Sequence, residues 1–385
     1  MTLSDYVELN PRVPLVKGET VPFVAMDVVT PGNRWVRPEE ERPATGSGSK
    51  FSPGDTLFAR ITPCLENGKI AQYAGQRPGM GSTEFFVLRA RANISDPAFV
   101  FYFSQNRDLR SSAEKSMSGA SGRQRADISS LREFECEFPP LGVQRRIAGI
   151  LSAYDELMEN SQRRIRLLEA MARALYREWF VHFRFPGHEK HPRVASPLGD
   201  IPQGWEVKTL GHVLELNYGK ALKQEDRSGG VVPVFGSSGI VGQHDTALVK
   251  GPGIIVGRKG NVGSVFWCAE DFYVIDTAYF VTSSLPLRFL FYVLPTLNFL
   301  NSDAAVPGLS RNQAYTLEIL VPPAALLKKF CALADTFERQ ASTLQRQIQN
   351  LRRTRDLLLP RLLSGQVSLS AAGEVVSLSP HKNKS

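Results

Sequence analysis

Two stretches of the chain carry the same spacing of apolar positions. After Pro139-Pro140 these fall at Ile147, Leu151, Tyr154, Met158, Ile165, Leu168, Ala172, Leu175 and Trp179. After Pro322-Pro323 they fall at Phe330, Ala334, Phe337, Ala341, Ile348, Leu351, Leu358 and Leu362, each 183 residues after its partner. Steps of four and three residues place such positions on one face of a helix. The spacing predicts long helices over about 141–181 and 324–363, each roughly 60 Å long at ~1.5 Å per residue. One apolar stripe per helix is enough for the two to pair. An antiparallel pair would give the chain an internal pseudo-two-fold axis. The expected pairing positions are Ile147, Leu151, Tyr154, Ile165, Leu168 and Leu175 on the first helix. On the second they are Phe330, Phe337, Leu344, Ile348, Leu351 and Leu358. Ser161 and Arg355 interrupt the stripe. Polar residues at such places fix register in coiled coils; the alternative is that they sit where the stripe drifts to its edge.

Outside the helices the apolar runs are short and β-like, as in Glu84-Phe-Phe-Val-Leu-Arg89 and Ala278-Tyr-Phe-Val-Thr282. The repetition continues there. Leu3–Asn10 resembles Leu210–Asn217, Val21–Val24 answers Val232–Phe235, and Pro53–Arg60 answers Gly251–Arg258. The offset drifts from 207 to 211 to 198 before settling at 183 in the helices. Insertions are thus confined to the globular parts, as expected where loops carry recognition. The predicted architecture is α+β: a first β-rich domain (1–138), a long helix (139–182), a Pro/Gly/His-rich linker (183–204), a second β-rich domain (205–321), a second long helix (322–364) and a disordered tail (365–385).

A net charge of +8 suits nucleic acid, an anionic membrane or an acidic partner. Arginines and lysines dominate the outer helix faces, including Arg145-Arg146, Arg163-Arg164, Lys328-Lys329 and Arg352-Arg353-Arg355, mixed with Asp155, Glu156, Glu159 and Glu169. The bland reading of those faces is solvated surface; the sharper one is a dock for subunits or for a DNA backbone. No apolar run reaches the ~18 residues that span a bilayer. The first residues lack a signal-peptide pattern. The four cysteines are scattered and read as free thiols in a reducing cytoplasm.

Catalytic patterns are missing. There is no phosphate-cradling G-x-x-x-x-G-K-[ST] loop, no Asn-Pro-Pro-Phe methyltransferase motif, and no nucleophile elbow. Glu66-Asn-Gly-Lys69 has the wrong spacing for the common nuclease cluster, and His188 and His191 have no Cys pair to complete a metal site. A binding module fits better than a catalyst.

Four segments then carry a resemblance: Gly54–Lys69, Ile201-Pro-Gln-Gly-Trp205, Pro139–Ile147 and Leu357-Leu-Leu-Pro-Arg-Leu-Leu-Ser-Gly365. In their order along the chain they make it similar to the specificity subunit of a type I DNA restriction-modification enzyme, over nearly its whole length. One departure is that no copy of Ile201–Trp205 precedes the first domain.

The resemblance implies two target-recognition domains, each reading half of a split sequence in double-stranded DNA, with the paired helices as ruler and dock. It implies no catalysis by this chain. Two methyltransferase subunits would bring S-adenosylmethionine and methylate adenine N6, and motor-nuclease subunits would bring ATP and Mg2+ for cleavage. The alternatives are a coiled-coil scaffold without sequence preference, or a self-sufficient DNA-modifying enzyme.

On that reading, cationic and amide side chains in polar loops are the candidate DNA contacts, through phosphates and base edges. In the first domain they are Arg60, Lys69, Lys115, Arg123, Gln124 and Arg125. In the second they are Lys220, Lys223, Arg258, Lys259, Arg311 and Asn312. The loop Lys115–Arg125 is expected just before the first domain's last strand, with Gly257–Gly263 and Leu309–Gln313 in corresponding places.

Overall fold

The structure, a computed structural model, describes residues 1–44, 47–120, 122–299, 308–369 and 375–377. The chain divides into two units, Met1–Arg163 with Leu344–Ser385, and Arg164–Thr343. Both long helices are therefore shared between units.

The first unit runs α1 (Leu3–Tyr6), β1 (Val7–Leu9), β2 (Thr20–Val24), β3 (Trp35–Val36), β4 (Glu40–Pro43), β5 (Ser49–Phe51), β6 (Thr56–Ala59), β7 (Ile70–Tyr73), β8 (Gly79–Gly81) and β9 (Phe85–Ala90). Helices α2 (Pro97–Ser104), α3 (Arg107–Lys115) and α4 (Ser129–Arg132) follow, then α5 (Leu141–Tyr176). One sheet has the order β1-β9-β6-β7-β3 and the other β4-β2-β8-β5. Every residue of β6 is buried, because both sheet faces are covered. Phe58, Ile70, Phe86 and Leu88 point to the side where α2 and the start of α5 pack. Leu57, Ala71, Phe85 and Val87 point to the side where Val24 and Phe51 of the second sheet pack. This is the period-two alternation of a strand.

The second unit opens with the π-helical turn Arg177–Val181 and a 3-10 turn, His188–Lys190. Its strands are β10 (Arg193–Ser196), β11 (Gly199–Pro202), β12 (Glu206–Thr209), β13 (Leu214–Tyr218), β14 (Val232–Gly236), β15 (Gly239–His244), β16 (Gly253–Gly257), β17 (Val265–Cys268), β18 (Tyr273–Val274), β19 (Ala278–Ser283) and β20 (Glu318–Val321). Its helices are α6 (Leu210–Val213), α7 (Leu287–Val293), α8 (Arg311–Tyr315) and α9 (Ala324–Leu363).

The first unit's topology returns. The order β13-β19-β16-β17 repeats β1-β9-β6-β7, and the parallel pair β14–β18 repeats β2–β8. The repetition also reaches α2 and α7, where Phe99-Val-Phe-Tyr-Phe103 matches Phe289-Leu-Phe-Tyr-Val293.

Within each unit the two long helices touch. In the first, Ile147, Ala148 and Leu151 share a cluster with Leu362, bordered by Leu358 and Leu363. In the second, Tyr176, Trp179 and Phe180 pack around Phe330, with ring centroids 4.8–6.3 Å apart. The stripe residues Ile165, Leu344 and Ile348 are buried; Tyr154, Leu168, Leu175, Phe337, Leu351 and Leu358 are half-buried.

Five expectations need correction. Asp155 does not belong to the solvated face: it is buried, accepting from Arg355 Nη1 and from the Tyr102 hydroxyl. Nor is Arg355 outer surface. It is buried in the helix stripe and also donates to the Gly32 carbonyl at 3.0 Å. Local helical period shows each charge's position but not a partner 200 residues away.

The linker is structured. Strands β10 and β11 form a hairpin, and Phe185 and Ile201 are buried beside Trp205. The tail contains the antiparallel pair Val367–Leu369 and Val375–Ser377, with Val367 in the first unit's core; its other residues from 370 onward lie outside the described ones. Finally, the first unit's last strand is reduced to a single bridge, Thr2–Glu135, where the second unit forms the four-residue ladder β12–β20.

Buried arginines tie sheets to long helices in both units. Arg34 donates to Gln72 Oε1 at 2.9 Å, to the Tyr102 hydroxyl at 3.3 Å and to Ser152 on α5, and stacks over Trp35 at 4.0 Å. Burial pushes the Tyr102 phenol well above its usual range. In the second unit Arg288 lies 3.6 Å over the Trp267 ring and reaches Asp335 at 2.8 Å and Glu338 at 3.5 Å on α9.

Candidate nucleic-acid interface

In both units one arginine follows directly on a buried central strand. Arg60 follows β6. Its N–H donates to the Glu84 carbonyl at 3.0 Å, and its carbonyl accepts from Ala126 at 2.8 Å. Arg258 follows β16, donating to the Thr277 carbonyl and accepting from Leu309, both at 2.9 Å. The neighbouring bridges agree: Ile61 with Arg125, and Lys259 with Gly308. The rings beneath agree too, with Arg60 5.6 Å over Phe86 and Arg258 5.7 Å over Tyr279. Arg60 and Arg258 therefore occupy equivalent places, and so do Ala126 and Leu309.

This frame shifts one expected correspondence. Arg125 matches Gly308, so Leu309–Gln313 answers Ala126–Ser130, not the loop Lys115–Arg125. The loop's equivalent just before Gly308 lies outside the described residues, as does Ser121 within the loop itself.

Each unit gathers a second arginine beside the first, by different chemistry. In the first unit, Arg125 Nε lies 3.0 Å from both Glu84 carboxylate oxygens and Nη2 lies 2.7 Å from Oε1. Arg60 Nε reaches Oε2 of the same carboxylate at 3.3 Å. The hydrogen bonds from Arg125 hold the Glu84 carboxyl below the usual range, against the opposing effect of burial. The backbone of Arg125 exchanges two hydrogen bonds with Ser118, at 2.9 and 3.0 Å, and Gln124 accepts from Thr62 at 3.0 Å. The polar loop is thereby pinned to the residues after β6.

In the second unit, the Arg258 and Arg311 guanidiniums lie 4.9 and 4.5 Å over one ring, Tyr218. Arg258 Nη1 also donates to the Asp276 carbonyl at 3.0 Å. Position 257 must be glycine for this turn. A Cβ there would lie 2.1 Å from the Asn261 carbonyl oxygen.

The remaining candidates separate. Arg123, Gln124, Lys259 and Asn312 are exposed beside the paired arginines. Lys220 is exposed and tied through its N–H to the Val274 carbonyl at 2.9 Å. Lys69 is turned to a structural task, its Nζ donating to the Met26 carbonyl at 2.8 Å. Lys115 is exposed in the last turn of α3. Lys223 is exposed and lies 3.4 Å from Glu225. Nothing in the structure places Lys115 or Lys223 against the paired arginines.

Three groups escaped sequence reasoning. Glu84 and Tyr218 stand at strand ends, where their residue types carry no special signal. Arg12 and Lys50 join Arg60 along an open groove of about 610 Å³ that Phe85 and Phe86 also line. Both units thus present cations on strand-end loops over aromatic rings. That arrangement suits phosphates and base edges. Among the described residues no group of three or more His, Cys, Asp or Glu side chains is placed to hold a metal, and no helix is long and apolar enough to cross a membrane.

Comparison with known proteins gives a consistent picture. A family model described as the type I restriction modification DNA specificity domain matches residues 55–170 and 202–351. The type I restriction enzyme MjaIX specificity subunit of Methanocaldococcus jannaschii is 26% identical over 302 residues, covering 70% of this chain and 68% of that one. The putative MjaX specificity subunit of the same organism is 21% identical over 344 residues, covering 82% and 78%. Among solved structures, the type I restriction-modification S subunit from M. genitalium aligns over 94% of this chain and 95% of that one. Its TM-score is 0.56 at 17% identity, a likeness of fold.

Proposed function

The chain belongs to the type I restriction-modification DNA specificity family, whose members are non-catalytic specificity subunits, and on that premise we propose that its two units each read one half of a split duplex sequence. The observation that carries this reading is the equivalence of Arg60 and Arg258, each joined by a second arginine at the end of a repeated strand. Guanidiniums so held are suited to bidentate contact with guanine O6 and N7. Neighbouring cations such as Arg123 and Lys259 supply phosphate contacts, which position the protein without carrying sequence information.

The long helices pair antiparallel through Ile147, Leu151, Leu168, Phe330, Ile348, Leu358 and the rest of their stripes, and set the spacer between half-sites. Their exposed basic faces take two methyltransferase subunits carrying S-adenosylmethionine, which methylate adenine N6. Motor-nuclease subunits with ATP and Mg2+ supply cleavage. The complex works in the cytoplasm.

Mapping of methylated adenines in cells with and without this chain tests the reading. A two-part motif with an unspecified spacer should vanish when the chain is removed. A methylation pattern indifferent to the chain would overturn it, and duplex binding without sequence preference would favour a scaffold.

A further inference from the structure

Among the described residues, the two arginine pairs differ in one charge. In the first unit the strand that follows the groove begins after Glu84, and that carboxylate holds both Arg60 and Arg125. The equivalent position in the second unit is Thr277, whose carbonyl accepts from Arg258 just as the Glu84 carbonyl accepts from Arg60. There the guanidiniums rest on Tyr218, a neutral ring. Among the described residues no carboxylate pairs with Arg258 or Arg311, whereas the first pair is already neutralised in part.

We propose that Glu84 is a specificity-determining residue of the first unit, a competitor that releases its arginines only to a correct half-site. The inference rests on the function proposed above. In the free protein the Glu84 carboxylate takes two hydrogen bonds from the Nε–Nη2 edge of Arg125 and a weaker one from Arg60. A backbone phosphate can also take a guanidinium through two oxygens, but its approach is opposed by the negative charge of Glu84 beside it. A guanine edge offers two acceptors in one plane without a net charge, so it can take the place of the carboxylate with less repulsion. Non-cognate DNA therefore meets a weakly cationic surface, and cognate DNA exchanges one bidentate contact for another. The 16% side-chain exposure of Glu84 supports the competition, since a partly desolvated carboxylate keeps its partners better than an exposed one. Its role is to position Arg60 and Arg125, not to react.

The test uses the full chain and Glu84→Gln, each selecting from a duplex pool with a randomised core. The glutamine keeps the shape and removes the charge. Retention of unselected duplex should rise severalfold, and its salt dependence should steepen by about 1 in log–log slope, one more cation being available to phosphate. In the selected motif, information should fall in one half only. The untouched half shows that the variant is folded, and Arg258→Ala should degrade that other half instead. Glu84→Asp should restore part of the discrimination.

If Glu84→Gln selects both halves as sharply as the parent, the proposal is overturned while the function stands. Equal loss in both halves with a lowered melting temperature would make Glu84 merely structural and overturn it too. If the parent chain selects no motif, the proposed function falls and this proposal with it.

Discussion

The ion pair between Asp155 and Arg355 is the structure's most consequential departure from its sequence pattern, and its removal is predicted to be costly in a specific way. The two side chains are 3% and 4% exposed, so neither charge can return to water while the first unit is folded. Asp155→Asn strands the guanidinium with the Gly32 carbonyl and the outward-facing Asp356. Arg355→Met strands the carboxylate with the Tyr102 hydroxyl. Each change should destabilise the first unit by about 3–5 kcal/mol, the usual cost of breaking a buried pair. By contrast, removing the half-exposed pair Arg42–Glu40 should cost about 0–1 kcal/mol. Removing both buried charges, as Asp155→Leu with Arg355→Met, ends the charge penalty. The Tyr102 hydroxyl still accepts from Arg34 but loses the acceptor of its own proton, so the remaining cost is chiefly that donor, the Gly32 carbonyl and imperfect packing. The double variant should fall short of the sum of the two singles by at least ~2 kcal/mol. Urea unfolding followed by tryptophan fluorescence reads this directly, because Trp35 is the only tryptophan of the first unit. Single variants within ~1 kcal/mol of the parent, or a double variant equal to the sum, would show that the two charges are not a coupled buried pair.

Other outcomes follow from the same geometry. Tyr218→Ala should loosen Arg258 and Arg311 together and blur one half of the selected motif, whereas Tyr218→Phe keeps the ring and should leave the motif sharp; an effect confined to the hydroxyl would contradict the stacking. Gly257→Ala should destabilise the second unit by about 1–3 kcal/mol, the cost of a forced overlap with backbone, read by the Trp179, Trp205 and Trp267 fluorescence; an unchanged midpoint would deny the close approach. Burial pushes the Cys136 and Cys331 thiols up to about 11, so their alkylation should still be accelerating between neutral pH and pH ~9.5, since the thiolate is the nucleophile; a plateau below that would contradict their burial. The Glu84 carboxyl is held low in the folded chain, chiefly by Arg125. Its stabilising contribution is then present above the unfolded-state value and is lost as pH falls through the depressed one. The stability gap between the parent and Glu84→Gln should persist down to pH ~4.3; closure of the gap at higher pH would contradict the pairing.

The helices and the repeated strands were legible because burial imposes a period on the sequence. Ile147, Leu151 and Ile165 recur with helical spacing since one face of α5 is covered, and Leu57 and Phe58 alternate in β6 because each face of its sheet meets a different core. The repeat between Phe99–Phe103 and Phe289–Val293 is as plain in the sequence, because both segments cover the same face of a repeated sheet.

What stayed hidden depended on partners far away in the chain. Asp155 looks like any helix-surface acid until Arg355 and Tyr102 arrive from elsewhere. Glu84 looks like the start of a strand until Arg125, 41 residues on, folds back to it. Likewise, Lys69 has the residue type of a DNA contact, but its amine is committed to a backbone carbonyl. Residue type marks what a side chain can do; its neighbours determine whether it remains free to do so.

The central claim is that two equivalent but differently built readers act separately. It is tested most directly by mapping adenine methylation in cells whose own copy of this chain is replaced by Arg60→Ala/Arg125→Ala or by Arg258→Ala/Arg311→Ala. The first pair should relax one half of the methylated motif and the second pair the other, with the spacer between them unchanged in both. Simultaneous loss of both halves with either pair, or an intact motif with both, would contradict it.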